Sequence, residues 1–497
     1  MTVYARGRQR LALTAALWAP FLFGCFAFGV LSVRDRTSGL ILVGVTFCVV
    51  VYWARPQVMM WIALFLSCGA LPEGLPPGKI IGPVMIYGHH VPLVLAVCYL
   101  ISTVRPEFRT YLLPGAFALT VVFSAAVGLA AGNPTFAAVR EASILLEMVA
   151  GFMLAILIVH GGYIKEAVRV MAVTLWVSAG LNVMASMHLI RPLTGRVESA
   201  AVETGAAEAT RVITNSLQPS IAVLAALVAG QIVGRVRLST LIALAPPALI
   251  SPMLAISRNT LIAVGLAVIV ASLLSAQGFS TIHRISRVFT GSALSVLIIV
   301  PGALFLLQHT PAGSWLADQF TGYQRRVLGG VSTNALAADA STKARLDENS
   351  FLIGKFDQAP LFGHGLGYEY QPSYGHGDSG FDAFANTLGT TYAHNFYLWW
   401  LVKAGAVGMA VFAALAVIPL YRAIRRASAP AKVSVAVAFG LLVMSVVDPM
   451  PEDIAGALTM GMTLGAAMAF AALPRSQPEP APTTTRPTSW SLDAQTT

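Results

Sequence analysis

Residues 394–420 read HNFYLWWLVKAGAVGMAVFAALAVIPL, a run in which Lys403 is the only Asp, Glu, Lys or Arg. A helix crossing the hydrocarbon core of a bilayer needs about 20 apolar residues. Runs of this kind recur along the whole chain. Of its 497 residues 56% are hydrophobic and 11% charged, and mean hydropathy is +0.72. A globular domain carries about 25% charged residues to solvate its surface. The composition excludes a soluble enzyme, a secreted disulfide scaffold and a disordered chain. It predicts an all-α fold, a polytopic transmembrane helical bundle.

The spans read from the sequence are 11–33, 39–54, 57–71, 89–104, 111–131, 141–160, 167–190, 213–233, 237–256, 260–277, 288–309, 394–420, 431–448 and 454–473. That is fourteen, or twelve if two of the shorter ones are re-entrant or interfacial. With the N-terminus inside, the inner segments hold eighteen cations against four acids. The membrane and outer side keep 14 cations and 18 acids. This is the positive-inside pattern, with Arg34 and Arg36 as its main exception. It predicts a multi-pass protein of the cytoplasmic (inner or plasma) membrane with both termini cytoplasmic. The net charge of +10 then reports orientation and contact with anionic membrane lipids, and no nucleic acid is expected as a partner. Cys25, Cys48, Cys68 and Cys98 all fall in early spans, so no disulfide staples an outer loop.

The chain divides into N-terminal transmembrane helices (1–309), an extracytoplasmic loop or lid (310–393), C-terminal transmembrane helices (394–473) and a disordered cytoplasmic tail (474–497) rich in Pro, Thr and Ser. Loops beyond about 15 residues usually carry function or are disordered. Within this one, 340–358 reads as a short helix, with Leu346, Ile353 and Phe356 at helical spacing. Residues 363–393 read as structured coil. No internal repeat is evident, which weighs against inverted-repeat transporter symmetry.

Several chemistries are missing from the sequence. It has no phosphate-binding G-x-x-x-x-G-K-[ST] loop, no Asp-x-Asp pair for a metal on a sugar nucleotide, and no Cys/His cluster with zinc spacing. No metal and no cofactor are expected. Gly377-Asp378-Ser379-Gly380 resembles a serine-protease turn over four residues only. His364 and His376, with Glu369 and Asp378, fit no standard metal spacing.

The densest local signal starts at Pro360 and contains Gly363, Gly365 and Gly367. It continues through His394-Asn395 and ends, after nine residues, at Gly405 and Gly408. The alternate glycines permit a tight turn and close backbone approach to a ligand. Gly405 and Gly408 permit close helix packing. His394 lies where the outer loop re-enters the membrane, and Asn395 can orient it. On residues alone, His394 is either a catalytic group or an interfacial histidine in an aromatic belt with Tyr392, Phe396, Tyr397, Trp399 and Trp400.

The order G-x-G-x-G, long outer loop, H-N-x9-G-x-x-G resembles the O-antigen ligase and O-antigen polymerase superfamily. Met409 departs from the ligase form of the motif. Ser257-Arg258-Asn259 at an outer turn, and Arg345 about fifteen residues before Pro360, are similar to that family's two arginine elements. The resemblance implies a membrane glycosyltransferase whose donor is a glycan on a polyprenyl diphosphate. The acceptor is a hydroxyl on a glycan, lipid or protein, and the reaction is ligation or polymerisation of a surface polysaccharide at the extracytoplasmic face. It implies that Arg258, Arg345 and Asn395 bind the diphosphate or substrate and that His394 is the catalytic base, with inversion and without a metal. Arginine forks bind phosphate oxygens bidentately and stay charged.

The plainer readings make Arg258 a turn residue near head groups and pair Arg345 with Glu348 at i,i+3. Asp448 either assists His394 or ends its helix, and Arg140 either joins the site as an accessory or pairs with Glu141. Lys403 either snorkels or pairs with Glu147. A transporter or flippase for a lipid-linked glycan, with no bond made or broken, is the alternative, supported by Lys403, Glu147 and Pro246-Pro247.

Overall fold

The apolar runs fold as helices. The structure, a computed structural model, describes residues 24–26, 29–30, 36–72, 78–81, 84–190, 195–199, 209–234, 236–275, 302, 309–329, 340–371, 391–426 and 428–473. Most of the expected spans 11–33 and 288–309, the tail 474–497, and His376 with the Gly377–Gly380 turn lie outside the described residues.

In chain order the helices are α1 (Arg36–Ala54), α2 (Val58–Cys68), α3 (His90–Val104), α4 (Arg109–Ala130), α5 (Thr135–His160), α6 (Ile164–Ser186), α7 (Leu217–Val233), α8 (Leu238–Leu254), α9 (Asn259–Ser275), α10 (Pro311–Tyr323), α11 (Ala340–Phe356), α12 (Phe396–Ile424), α13 (Ala429–Met444) and α14 (Ile454–Ala472). Five of them, α4, α5, α6, α12 and α14, are long and apolar enough to cross a membrane. Seven more are apolar and 10–17 residues long. Leu119, Val122, Phe123, Val173 and Val417 lie exposed on the long helices, a surface suited to lipid tails rather than water.

The fold is not purely helical. Strands β1 (Gly78–Ile81) and β2 (Val84–Tyr87) pair antiparallel, as do β3 (Gly195–Ser199) and β4 (Thr210–Thr214). The second hairpin occupies the outer loop expected at 191–212. Its strand β4 occupies the start of the span read at 213–233, because the alternating burial of Thr210–Thr214 suits a strand better than a helix.

The core gathers around α5, buried on most of its faces, against α14 and α4, on which α12 packs in turn. Gly151, Gly461 and Gly465 let α5 and α14 touch backbone to backbone. A Cβ at any of them would collide with the carbonyl of Leu458, Met148 or Phe152 respectively. Association inside a membrane relies on such close packing, since lipid tails are as apolar as the side chains.

Helix α12 is interrupted. Gly405 takes φ 64°, ψ −169°, a region open essentially to glycine alone. The interruption frees backbone groups, and in a bilayer each must be satisfied within the protein. The segment Pro360–Gly365 does this. His364 N donates to Val402 O (2.9 Å), Gly365 N to Lys403 O (2.9 Å), Ala406 N to Pro360 O (2.8 Å) and Val407 N to Leu361 O (3.1 Å). The glycines expected to approach a ligand approach helices instead. A Cβ on Gly363 would strike Lys403 and Ala404, on Gly365 the backbone of α4 at Gly128, and on Gly367 Ala138 of α5. Gly408 lies against Ala404 and Trp400 of its own helix.

Gly405→Ala is expected to cost at least about 2 kcal/mol through backbone strain alone. A thermal melt of the purified protein in detergent should show a lower Tm for Gly405→Ala and a near wild-type Tm for the exposed control Val417→Ala.

Candidate active site

Helix α11 buries Leu352 and packs Phe356 against the core, while Leu346 and Ile353 face outward. Glu348 precedes Leu352 by four residues and so shares the buried stripe. That register carries its carboxylate to the entrance of α12. Glu348 Oε2 accepts from the backbone N of His394 (2.9 Å) and faces its ring Nδ1 (3.1 Å). Oε1 (2.8 Å) and Tyr392 O (2.5 Å) share the single proton of the Tyr370 hydroxyl. The His394 side chain keeps 40% exposure while Glu348 keeps 9%. The imidazole is thus held from behind by a sheltered carboxylate and open in front.

Burial pushes the Glu348 carboxyl up, but hydrogen bonds from the His394 ring, the imidazolium charge, the His394 amide and Tyr370 outweigh it. The group sits below its ordinary value of 4.5.

Asn395 is the N-cap of α12. Its Oδ1 accepts from Tyr397 N (3.1 Å) and Leu398 N (3.3 Å), so it places His394 at the helix mouth through the backbone. Phe396 N donates to Ser445 O (3.1 Å), which seats this mouth beside the end of α13. Three residues on, Asp448 Oδ2 accepts from Asn259 Nδ2 (3.0 Å). That bond draws the turn carrying Arg258 to the same end of the bundle. Arg258 Nε donates to Arg326 O (2.9 Å), tying the turn to the loop as well.

Arg345 stands one turn before Glu348 on α11. Its Nε is buried and has no hydrogen-bond partner, and no Arg345–Glu348 ion pair occurs among the described residues. The i,i+3 pairing does not form, because both oxygens of Glu348 are committed to Tyr370 and His394.

Beside His394, burial raises the Glu452 carboxyl well above its ordinary value, despite a bond from Ala393 N (3.3 Å), and its Oε1 has no partner. Asp453, half-buried at the N-cap of α14, is pushed up to about 6 by loss of solvent around its carboxyl. The Tyr392 phenol is raised by burial and then by the charges of Glu452, Asp448, Glu348 and Asp453. Arg140, Thr391, Tyr392, Trp399 and Glu452 line one small cavity.

Two expected pairings are redrawn. Lys403 pairs with Glu141 (2.9 Å), not Glu147, and Glu141 does not pair with Arg140. Glu141 Oε2 accepts from Gly367 N (2.7 Å), and Lys403 Nζ donates to Tyr368 O (2.7 Å). This buried pair locks the Gly363–Gly367 segment between α5 and α12, so Lys403 has no need to snorkel. His364 is also structural: its Nε2 bonds Lys355 O (2.9 Å) and its ring stacks on Tyr368 at 4.1 Å.

Sequence reasoning missed Glu348 as the partner of His394 and missed Tyr370 altogether; it read Tyr392 only as part of an aromatic belt and gave Glu452 no role. The stripe Glu348–Leu352–Phe356 was the available signal for the first. Nothing local marked the others.

Residues 212–413 match a family model described as O-antigen ligase. No curated protein matches the chain.

Two outcomes follow from these contacts. Glu348 is held below its ordinary value, so its stabilisation is complete above the ordinary carboxylate range and is lost as pH falls through the depressed value. Melts from pH 7 to pH 3 should therefore show Glu348→Gln less stable at neutral pH, with the gap closing in acid. Lys403→Met should cost about 3–5 kcal/mol by stranding Glu141, and Lys403→Met with Glu141→Gln should recover part of that loss in the same melts.

Proposed function

We propose, from the match of residues 212–413 to the O-antigen ligase family, that the chain moves a glycan from a polyprenyl diphosphate to an acceptor hydroxyl. The reaction takes place at the outer face of the cytoplasmic membrane, and both termini are cytoplasmic. The observation that carries this reading is the exposed His394 imidazole backed by buried Glu348. An ionised Glu348 takes the Nδ1 proton in its hydrogen bond and leaves the Nε2 lone pair bare. Nε2 then accepts the acceptor's proton as its oxygen attacks the anomeric carbon.

The bond from that carbon to the diphosphate oxygen breaks with its electron pair on the diphosphate, and direct displacement inverts the anomeric centre. Arg258 and Arg345 hold the diphosphate and offset the charge that grows on it. Two arginines on a loop helix and a bundle turn perform this without a metal in the step. The His394 proton passes afterwards to the leaving diphosphate or to water. Helix α11 of the long loop covers the reacting groups as a lid.

The flippase reading keeps Pro246-Pro247, which lie inside α8, but its two charged residues are otherwise engaged. Lys403 and Glu141 neutralise each other inside the bundle, and Glu147 is engaged by two histidines.

The test is the surface polysaccharide of a deletion strain rescued with His394→Ala. Loss of transfer by at least about 100-fold is expected for a missing general base. A single repeat unit on its normal acceptor identifies polymerisation as the lost step; long chains stranded on the carrier identify ligation. A wild-type profile overturns the role of His394 and moves the reading to transport.

A further inference from the structure

Glu147 lies well inside α5, among apolar residues, with 4% of its surface exposed. A carboxylate at that depth needs compensation, because hydrocarbon and packed side chains solvate a charge poorly. Its neighbours are two histidines adjacent in the chain. His89 Nε2 lies 3.1 Å and His90 Nε2 2.7 Å from the same oxygen, Oε1. The other oxygen, Oε2, is buried and has no hydrogen-bond partner. Neutral imidazoles offer dipoles but no charge, so the pair of hydrogen bonds leaves the carboxylate half satisfied.

The backbone arranges this convergence. Strand β2 ends at Tyr87 and α3 begins at His90. The intervening turn aims both rings at α5, 4.9 Å apart and edge to face, with Tyr87 against each of them. One ligand atom from each of the three residues lies within 4.8 Å of the others.

We propose that His89, His90 and Glu147 bind one divalent transition-metal ion of the zinc class. Two imidazole nitrogens and one carboxylate oxygen are a ligand set that suits such an ion. Bonds of about 2.0–2.1 Å in tetrahedral array put ligand atoms roughly 3.3 Å apart. The His89 separation already fits, and His90 needs to open by about half an ångström to reach that spacing. The groove beside His90 and Glu147 is otherwise mostly apolar, lined by Leu93, Val94, Val97 and Leu146, so the unpartnered Glu147 Oε2 completes the set as fourth ligand atom. Metal at Nε2 places the His90 proton on Nδ1, so the long 3.4 Å contact from Tyr87 N gives way.

The ion is a clamp rather than a participant in transfer. Glu147 follows Glu141 by six residues, which puts it about 120° round the helix from the face that meets Lys403. The clamp pins the β2–α3 corner to α5.

The test uses the full-length protein in detergent, loaded with Co2+ or Zn2+ and then dialysed. About one equivalent of metal per chain is expected by mass spectrometry, with a Co2+ d–d absorption band and a Tm that falls on chelation. Glu147→Gln should retain under a tenth of that metal and show no response to the chelator. His90→Ala serves as the second variant if the first does not fold. A folded wild-type protein that retains no metal, holding the carboxylate by protons alone, overturns the proposal. So does equal retention by folded wild type and variant. Neither outcome bears on the transfer reaction.

Discussion

The structure depends on an exchange of backbone hydrogen bonds between two distant stretches of chain. Helix α12 breaks at Gly405, and the segment from Pro360 supplies donors and acceptors on either side of the break. In water the freed groups would be solvated. Inside a bundle each one left bare costs about 1–3 kcal/mol. The loop is therefore part of the transmembrane core rather than an appendage to it. Its glycines are needed because main chain meets main chain at three helices, and a Cβ has nowhere to go.

That insertion governs how charge is buried. Glu141 reads the loop directly, accepting Gly367 N while neutralising Lys403. Lys403 in turn holds Tyr368 O. A buried ion pair contributes little net stability, but removing one partner is costly. This pair acts as a register device, since only one placement of the loop satisfies both groups. Glu147 and Glu348 follow the same rule with histidine partners. Each of these carboxylates is tied to a segment far away in sequence.

The consequence for function is positional. Because 360–367 is anchored, α11, which ends at Phe356, is set at the mouth of α12. There Glu348 takes up His394 by backbone and ring together. Asn395 and Ser445 fix the same mouth from the other side, and Asp448 draws in the Arg258 turn through Asn259. The reading as a glycosyltransferase of lipid-linked glycans places its arginines and its base on elements joined by these bonds.

Much of the architecture was legible in the chain. Apolar run length marks helices that avoid water, and twelve of the predicted spans coincide within a few residues with α1 to α9 and α12 to α14. The motif H-N-x9-G-x-x-G, with its preceding glycines, was sufficient to suggest the family. Its physical meaning was not legible, because the glycines were read as facing a ligand and instead face helices. Residue type does not say what lies opposite. Glu348 stands beside Asp347, and only the burial stripe with Leu352 and Phe356 selects it. Lys403 had two glutamates within reach on one helix, and the turn of α5 chose Glu141. The sequence by itself determined that the chain is helical and membrane-embedded, since hydropathy is a local property summed along the chain. The tertiary structure alone decided which acid meets which base, because those pairings span up to 262 positions and are selected by helix rotation and backbone contact that no local pattern encodes.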